Sequence, residues 1–180
     1  MEALCPDICC NILTWGHTVF PVGHFDVVWA SPVCKHYSIA RSKVKTPRDL
    51  EGADKLVQRA LDIIEHFKPR AWYLENPASG LLKTRGVIQG IPSVTVSYCR
   101  YGASYQKNTQ IWGTVLHHEW RPKCRFDCAA VGSDGTHSEW AQKASRGGRG
   151  YTTLELYVMP NALCVDIVLS SLALLYGAGN

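Results

Sequence analysis

The sequence carries little charge. Asp, Glu, Lys and Arg together make up 19% of its 180 residues, against 46% hydrophobic residues. That balance excludes a self-repelling disordered chain and favours a packed core. Internal repeats are absent, which excludes a solenoid or propeller. No uncharged apolar run reaches the length of a membrane span. The most apolar segment, Ala162 to Tyr176, contains Asp166, Ser170 and Ser171 and is expected to be a packed C-terminal helix. The first residues lack the basic and apolar regions of a secretory signal, so a cytoplasmic or nuclear setting is expected. In that setting the eight cysteines read as reduced thiols rather than as a disulfide framework. Five of them, Cys5, Cys9, Cys10, Cys99 and Cys164, have apolar neighbours and are expected to fill core.

What is present fits one domain of alternating strands and helices. Phe25 to Ala30 and Ala71 to Leu74 are apolar runs of strand length, and Ser93 to Tyr98 and Thr109 to Leu116 are β-branched or apolar runs of the same kind. Ile8 to Leu13 is a further candidate strand. From Pro47 to about Phe67, Leu50, Ala53, Leu56, Val57, Ala60, Leu61 and Ile64 recur at helical spacing, and Pro69 ends the helix. A short helix is expected over Ser79 to Val87. Strands alternating with helices predict a parallel α/β sheet. Residues 1–116 then form the core. Residues 117–150 form a polar insertion holding Cys124, Cys128 and His137, and residues 151–180 a strand and helix that complete the core.

Two junctions carry chemistry. Asp26-Val-Val-Trp-Ala-Ser-Pro-Val-Cys-Lys-His-Tyr-Ser38 is a buried strand running into a loop that holds Cys34. Trp72-Tyr-Leu-Glu-Asn-Pro77 delivers Glu75 and Asn76 into a second loop. Loops at the carboxyl ends of neighbouring strands line the ligand crevice of an open α/β sheet. A thiol and a carboxyl group there point to a nucleophile and a proton donor. The formal charge is +4, and basic residues cluster: Arg41, Lys43, Lys45 and Arg48; Arg121, Lys123 and Arg125; Lys143, Arg146 and Arg149. Basic loops beside such a crevice favour nucleic acid as a partner. Cys124, Cys128 and His137, with His117 or His118, form a candidate zinc site, which would make the chain a zinc-stabilised binding module.

In their order, these pieces resemble the DNA (cytosine-5) methyltransferases, closest to the phage and algal-virus type. Pro32-Val33-Cys34 with Tyr37-Ser38 is similar to that family's cysteine loop, and Glu75-Asn76-Pro77 to its glutamate–asparagine motif. Tyr98-Cys-Arg-Tyr-Gly102 and Tyr105-Gln-Lys-Asn-Thr-Gln-Ile-Trp112 resemble the strand pair that closes its catalytic domain. Cys124, Cys128, His137, Ala141, Gln142 and Met159-Pro160…Leu163-Cys164 resemble parts of the viral subgroup. The resemblance implies a Rossmann-like S-adenosylmethionine-dependent methyltransferase sandwich. It implies methyl transfer to carbon 5 of cytosine through an adduct at carbon 6. Cys34 would be the thiolate, Glu75 the acid and Asn76 the residue that orients base or loop. Asn11, Ile12 and Pro32 would face S-adenosylmethionine, and Ser38, Arg41, Gln106, Lys107 and Asn108 would face DNA.

The sequence also departs from the family. Val33 replaces a proline that would stiffen the cysteine loop. Asn108 and Gln110 stand where the family has arginines, which removes charge from the crevice. Asn11 replaces an aspartate that would face the adenine. No Gly-rich turn and following acid for the cofactor ribose can be identified, so the expected sheet is truncated at its N-terminal side. That leaves an apolar edge beside Phe25 to Ala30. A separate chain that supplies the cofactor-binding part is one expectation; a catalytically inactive remnant that binds DNA is the other.

Overall fold

β2 (Ala71–Pro77) is the strand about which the fold is built. Ala71 and Tyr73 enter one hydrophobic cluster and Trp72 and Leu74 the other, the two-residue alternation of a strand buried on both faces. The computed structural model describes residues 7–39, 47–139, 141 and 151–177. β1 (Val27–Ala30) runs parallel to β2, with Val27 opposite Ala71 and Ala30 opposite Leu74. On the other side β4 (Asn108–Gly113) runs antiparallel to β2, and β3 (Ser93–Ser97) runs antiparallel to β4. The order is β1-β2-β4-β3.

The sheet is therefore mixed, where strand–helix alternation predicts a parallel one. The connections explain the difference. Between β2 and β3 the expected helix over Ser79 to Val87 is replaced by two single 3-10 turns, Leu82–Thr84 and Gly86–Ile88. A 3-10 turn at Tyr98–Tyr101 and a short loop then return the chain to β4. A connection this short suits antiparallel neighbours, whereas parallel neighbours need a longer crossover. Gly113 ends β4 at φ 120°, where a Cβ would lie 2.2 Å from the Trp72 carbonyl oxygen.

α1 (Leu50–Phe67) follows the periodicity closely. Asp49 caps it by accepting from the Gly52 N–H at 2.7 Å, and Lys68 closes it in the left-handed conformation. Ala53 and Val57 pack on Tyr37, Leu74, Leu82 and Trp112 on one face of the sheet. α3 (Asn161–Tyr176) covers the opposite face through Leu163 and Ile167, against Tyr73, Val96 and Ile111. Tyr73 OH donates to Ser170 Oγ at 2.9 Å and pins the helix.

Further expectations are corrected. Ile8 to Leu13 is not a strand. The Asn11 side chain accepts from the Leu13 N–H at 3.0 Å, a local turn that competes with sheet pairing, and Ile8, Ile12 and Leu13 stay exposed. The segment after residue 150 contributes no strand. α2 (Thr153–Tyr157) is a short helix closed by a capping box between Thr152 and Glu155. α3 is packed on one face only, leaving Val165, Val168, Leu169 and Leu172 exposed. By length and composition Leu154–Tyr176 is apolar enough to cross a membrane, with mean hydropathy 1.9. It is nevertheless two helices, parted at Val158–Pro160. Cys9 and Cys10 are exposed rather than core, and Cys5 lies outside the described residues. Among the described residues β1 has no strand on its outer side, so the expected apolar edge is present.

Candidate active site

The β1–β2 register sets the site. Ala30 lies beside Leu74, so the chain leaving β1 and the carboxylate of Glu75 emerge at the same end of the sheet. Glu75 and Asn76 are not in a loop. They belong to β2 and pair with Ile111 and Gln110. The thiol loop folds on its own backbone, with the N–H groups of Tyr37 and Ser38 both donating to the Cys34 carbonyl at 3.0 Å. Asn76, 1% exposed, donates from Nδ2 to the Pro32 carbonyl at 2.9 Å and ties the loop to β2. Its Oδ1 is buried without a hydrogen-bond partner among the described residues. Tyr37 is fully buried and donates to Asp54 Oδ1 at 2.8 Å, while Arg85 bridges the same carboxylate at 2.7 Å. The Leu81 N–H donates to the Tyr37 carbonyl at 2.9 Å. Packing thus supplies the rigidity that Val33, 56% exposed, does not.

Cys34, Glu75, Tyr98, Lys107 and Asn108 line one crevice of about 1700 Å³. Thr109 Oγ1 donates to Glu75 Oε1 and orients it. Burial pushes the Cys34 thiol above its ordinary pKa, and the charge of Glu75 acts in the same direction; a backbone hydrogen bond and Lys107 oppose them. Lys107 itself is pushed down by burial and held up by Glu75 and Cys34. Its Nζ donates to the Leu156 carbonyl at 2.6 Å and lies 4.4 Å from the Tyr98 ring centroid. The charge missing at Asn108 and Gln110 is therefore present one position away, at Lys107.

The residues expected to face nucleic acid divide in the same way. Ser38, Gln106, Lys107 and Asn108 all line the crevice, together with Lys123. Asn108 Oδ1 accepts from Ser97 Oγ at 2.6 Å, and Gln106 Nε2 donates to the Cys124 carbonyl at 3.2 Å. Arg121 instead lies over the Tyr101 ring at 4.7 Å. Arg41, Lys43, Lys45, Gln142, Lys143, Arg146 and Arg149 lie outside the described residues.

Of the expected cofactor residues, Asn11 stands apart while Ile12 and Pro32 come together. Asn11 is occupied in its turn. Ile12 and Pro32 line an apolar groove of about 560 Å³ with Trp15, Phe25 and Val27 along the open edge of β1. That groove suits a flat apolar ring. No acidic residue lines it, so these residues do not fit the ribose and charged amino-acid parts of S-adenosylmethionine.

A second cluster lies behind the crevice. Cys99, Cys124, Cys128 and His137 place their donor atoms within 4.8 Å of one another, a set that can hold a metal ion. Cys124, Cys128 and His137 come together as expected. The fourth member is Cys99 rather than His117 or His118. His118 packs instead on Trp120, 3.8 Å from Asp166. Cys99 reads as core filler in sequence because nothing in its spacing links it to the others.

Cys34 and Glu75, at one end of the paired parallel strands β1 and β2, thus share a crevice with half-buried Lys107 and the rings of Trp29 and Tyr98. No family model matches the chain. The chain is 29% identical, over 88% of its own length and 81% of the relative's, to the "Probable DNA (cytosine-5)-methyltransferase" of Frog virus 3 (isolate Goorha). The chain is thus similar, along most of both lengths, to a protein named for DNA (cytosine-5) methylation.

Proposed function

We propose that this chain carries the catalytic half of a transferase that methylates carbon 5 of cytosine in DNA. The reading rests on one observation: Cys34 and Glu75 share one crevice at the ends of paired parallel strands. Carbon 5 of cytosine is a weak nucleophile. Addition of the Cys34 thiolate at carbon 6 moves the ring π electrons toward nitrogen 3 and makes carbon 5 electron-rich. Glu75, held by Thr109, shares a proton with nitrogen 3 and offsets the charge that develops there. Asn76 holds the cysteine loop at the base. Lys107 favours the thiolate electrostatically while Glu75 disfavours it. S-adenosylmethionine, when bound, supplies the electrophilic methyl group. The adduct is undone when the carbon 5 proton passes to solvent water in the crevice and Cys34 leaves carbon 6 as the thiolate, which restores the aromatic ring. A base in a duplex must be flipped out to reach this crevice.

The described residues do not hold the whole cofactor, so its remaining contacts come from polypeptide beyond them or from a separate chain docked at the open edge of β1. Labelled S-adenosylmethionine with cytosine-containing DNA tests the reading. Label enters DNA with the wild-type chain and not with Cys34→Ser; equal incorporation by the variant rejects it. The absence of an acid from the β1 groove favours a second reading, DNA binding without turnover. In that case no label enters, and DNA binding persists and weakens steeply with salt.

A further inference from the structure

We infer that Cys99, Cys124, Cys128 and His137 form a closed tetrahedral zinc centre that fastens the polar segment after β4 to the wall of the crevice. The site does not rest on the catalytic reading. Its argument begins with distance. Zinc–sulfur bonds of about 2.3 Å and zinc–nitrogen bonds of about 2.0 Å set the edges of a tetrahedron at about 3.5 Å for sulfur to nitrogen. His137 Nε2 lies 3.5 Å from Cys124 Sγ and 3.4 Å from Cys128 Sγ. The four donors arrive from three separate stretches of chain: the turn after β3, the 124–128 loop and residue 137. Cys99, Cys124 and His137 are buried. Soft thiolates with one imidazole select zinc over hard cations.

The backbone is shaped for the same purpose. Phe126, between the two loop cysteines, adopts φ 65°, a conformation rare for a bulky residue. It turns the Phe126 N–H onto Cys124 Sγ at 3.3 Å, the kind of donor that stabilises a metal-bound thiolate. The Phe126 ring lies 5.3 Å from that of His137 and shields it on one side. Next to the ligands, Arg100 and Asp127 pair at 2.5 Å and join the Cys99 turn to the Cys124 loop.

Four protein ligands leave no open position, so the centre is structural rather than catalytic. Its role follows from the Cys124 peptide. The Cys124 N–H donates to Ser97 Oγ at 2.9 Å, and Ser97 Oγ donates to Asn108 Oδ1 at 2.6 Å. The Cys124 carbonyl accepts from Gln106 at 3.2 Å. The Cys124 peptide thus holds Gln106 of the crevice wall directly and Asn108 through Ser97.

The test uses the full chain purified without chelator. Metal analysis is expected to give one zinc per chain. Replacement by cobalt is expected to give the intense visible bands of a tetrahedral thiolate site, together with a sulfur-to-metal charge-transfer band. Cys99→Ser is expected to weaken zinc binding at least tenfold. His118→Ala and Cys10→Ser are expected to leave it unchanged. A folded wild-type chain with neither zinc nor the cobalt spectrum overturns the proposal. Equal binding by Cys99→Ser overturns the ligand set, and loss in Cys10→Ser would place the metal elsewhere. If Cys99→Ser fails to fold, titrating apo wild-type chain with cobalt decides: three thiolate ligands in the charge-transfer intensity support the site, and fewer refute it.

Discussion

Replacing Asn76 by alanine unties the thiol loop from β2. Two terms set the size of the effect. The Nδ2–H bond to the Pro32 carbonyl, 2.9 Å long, is lost, and a buried or half-buried carbonyl left without its donor costs about 1–3 kcal/mol. Asn76 Oδ1 is already buried without a partner, so removing it relieves a penalty of the same kind. The net destabilisation is therefore expected at the low end, about 1 kcal/mol, or about 2–4 °C in Tm for a chain of this size. The local effect is larger, because the loop's ties through His36 and Tyr37 lie on the far side of Cys34 from Pro32. Urea unfolding in reducing buffer gives the global term. Timed alkylation read by mass spectrometry gives the local one, with exposed Cys10 as internal reference. Cys34 alkylation is expected to rise at least tenfold relative to Cys10. Unchanged Cys34 reactivity, with stability falling by more than about 3 kcal/mol, would show that Asn76 supports the core rather than the loop.

Other substitutions test the electrostatics and the frame. Because the Glu75 charge helps hold the Cys34 thiol up, Glu75→Gln lowers its pKa and speeds its alkylation at neutral pH while abolishing methyl transfer. Lys107→Met removes the opposing charge and slows alkylation, so a pH profile of Cys34 reactivity shifts to lower pH in the first variant and higher in the second. Shifts of the same sign would refute the arrangement. Tyr37→Phe deletes a buried donor to the Asp54 carboxylate and is expected to cost about 2 kcal/mol, seen as a lower urea midpoint with unchanged slope. Gly113→Ala sets a Cβ against the Trp72 carbonyl at positive φ and is expected to cost on the order of 3 kcal/mol or more, read as loss of cooperative melting.

Elements decided by side-chain period were legible in the sequence. α1 carries one apolar face along its whole length, and β2 alternates between two cores. Cys34 and Glu75 were legible from the apolar runs that precede them, although Glu75 lies within β2 and β1 is an exposed to half-buried edge strand. Strand direction was not, because it depends on how short the connections fold, and the turns between β2 and β3 carry no periodic signal. Ile8 to Leu13 has strand-like composition, but one Asn11 side-chain hydrogen bond outweighs it. Cys99 joins Cys124, Cys128 and His137 through tertiary folding alone. Lys107 was legible as a residue facing DNA but not as the cation acting on Cys34 and Glu75, because a crevice accepts a cation from any neighbouring residue that reaches it.

The central claim is that Cys34 adds to carbon 6 of cytosine with Glu75 at nitrogen 3. It can be tested without the cofactor. Addition of the thiolate makes carbon 5 basic enough to take a solvent proton. Elimination then releases the original carbon 5 hydrogen and regenerates the thiolate. Single-stranded DNA tritiated at carbon 5 of cytosine, incubated with the folded chain and no S-adenosylmethionine, is expected to release tritium to water. The release should disappear in Cys34→Ser and fall sharply in Glu75→Gln. Release that persists in Cys34→Ser, or none from a folded wild-type chain shown to bind the DNA, would contradict the account.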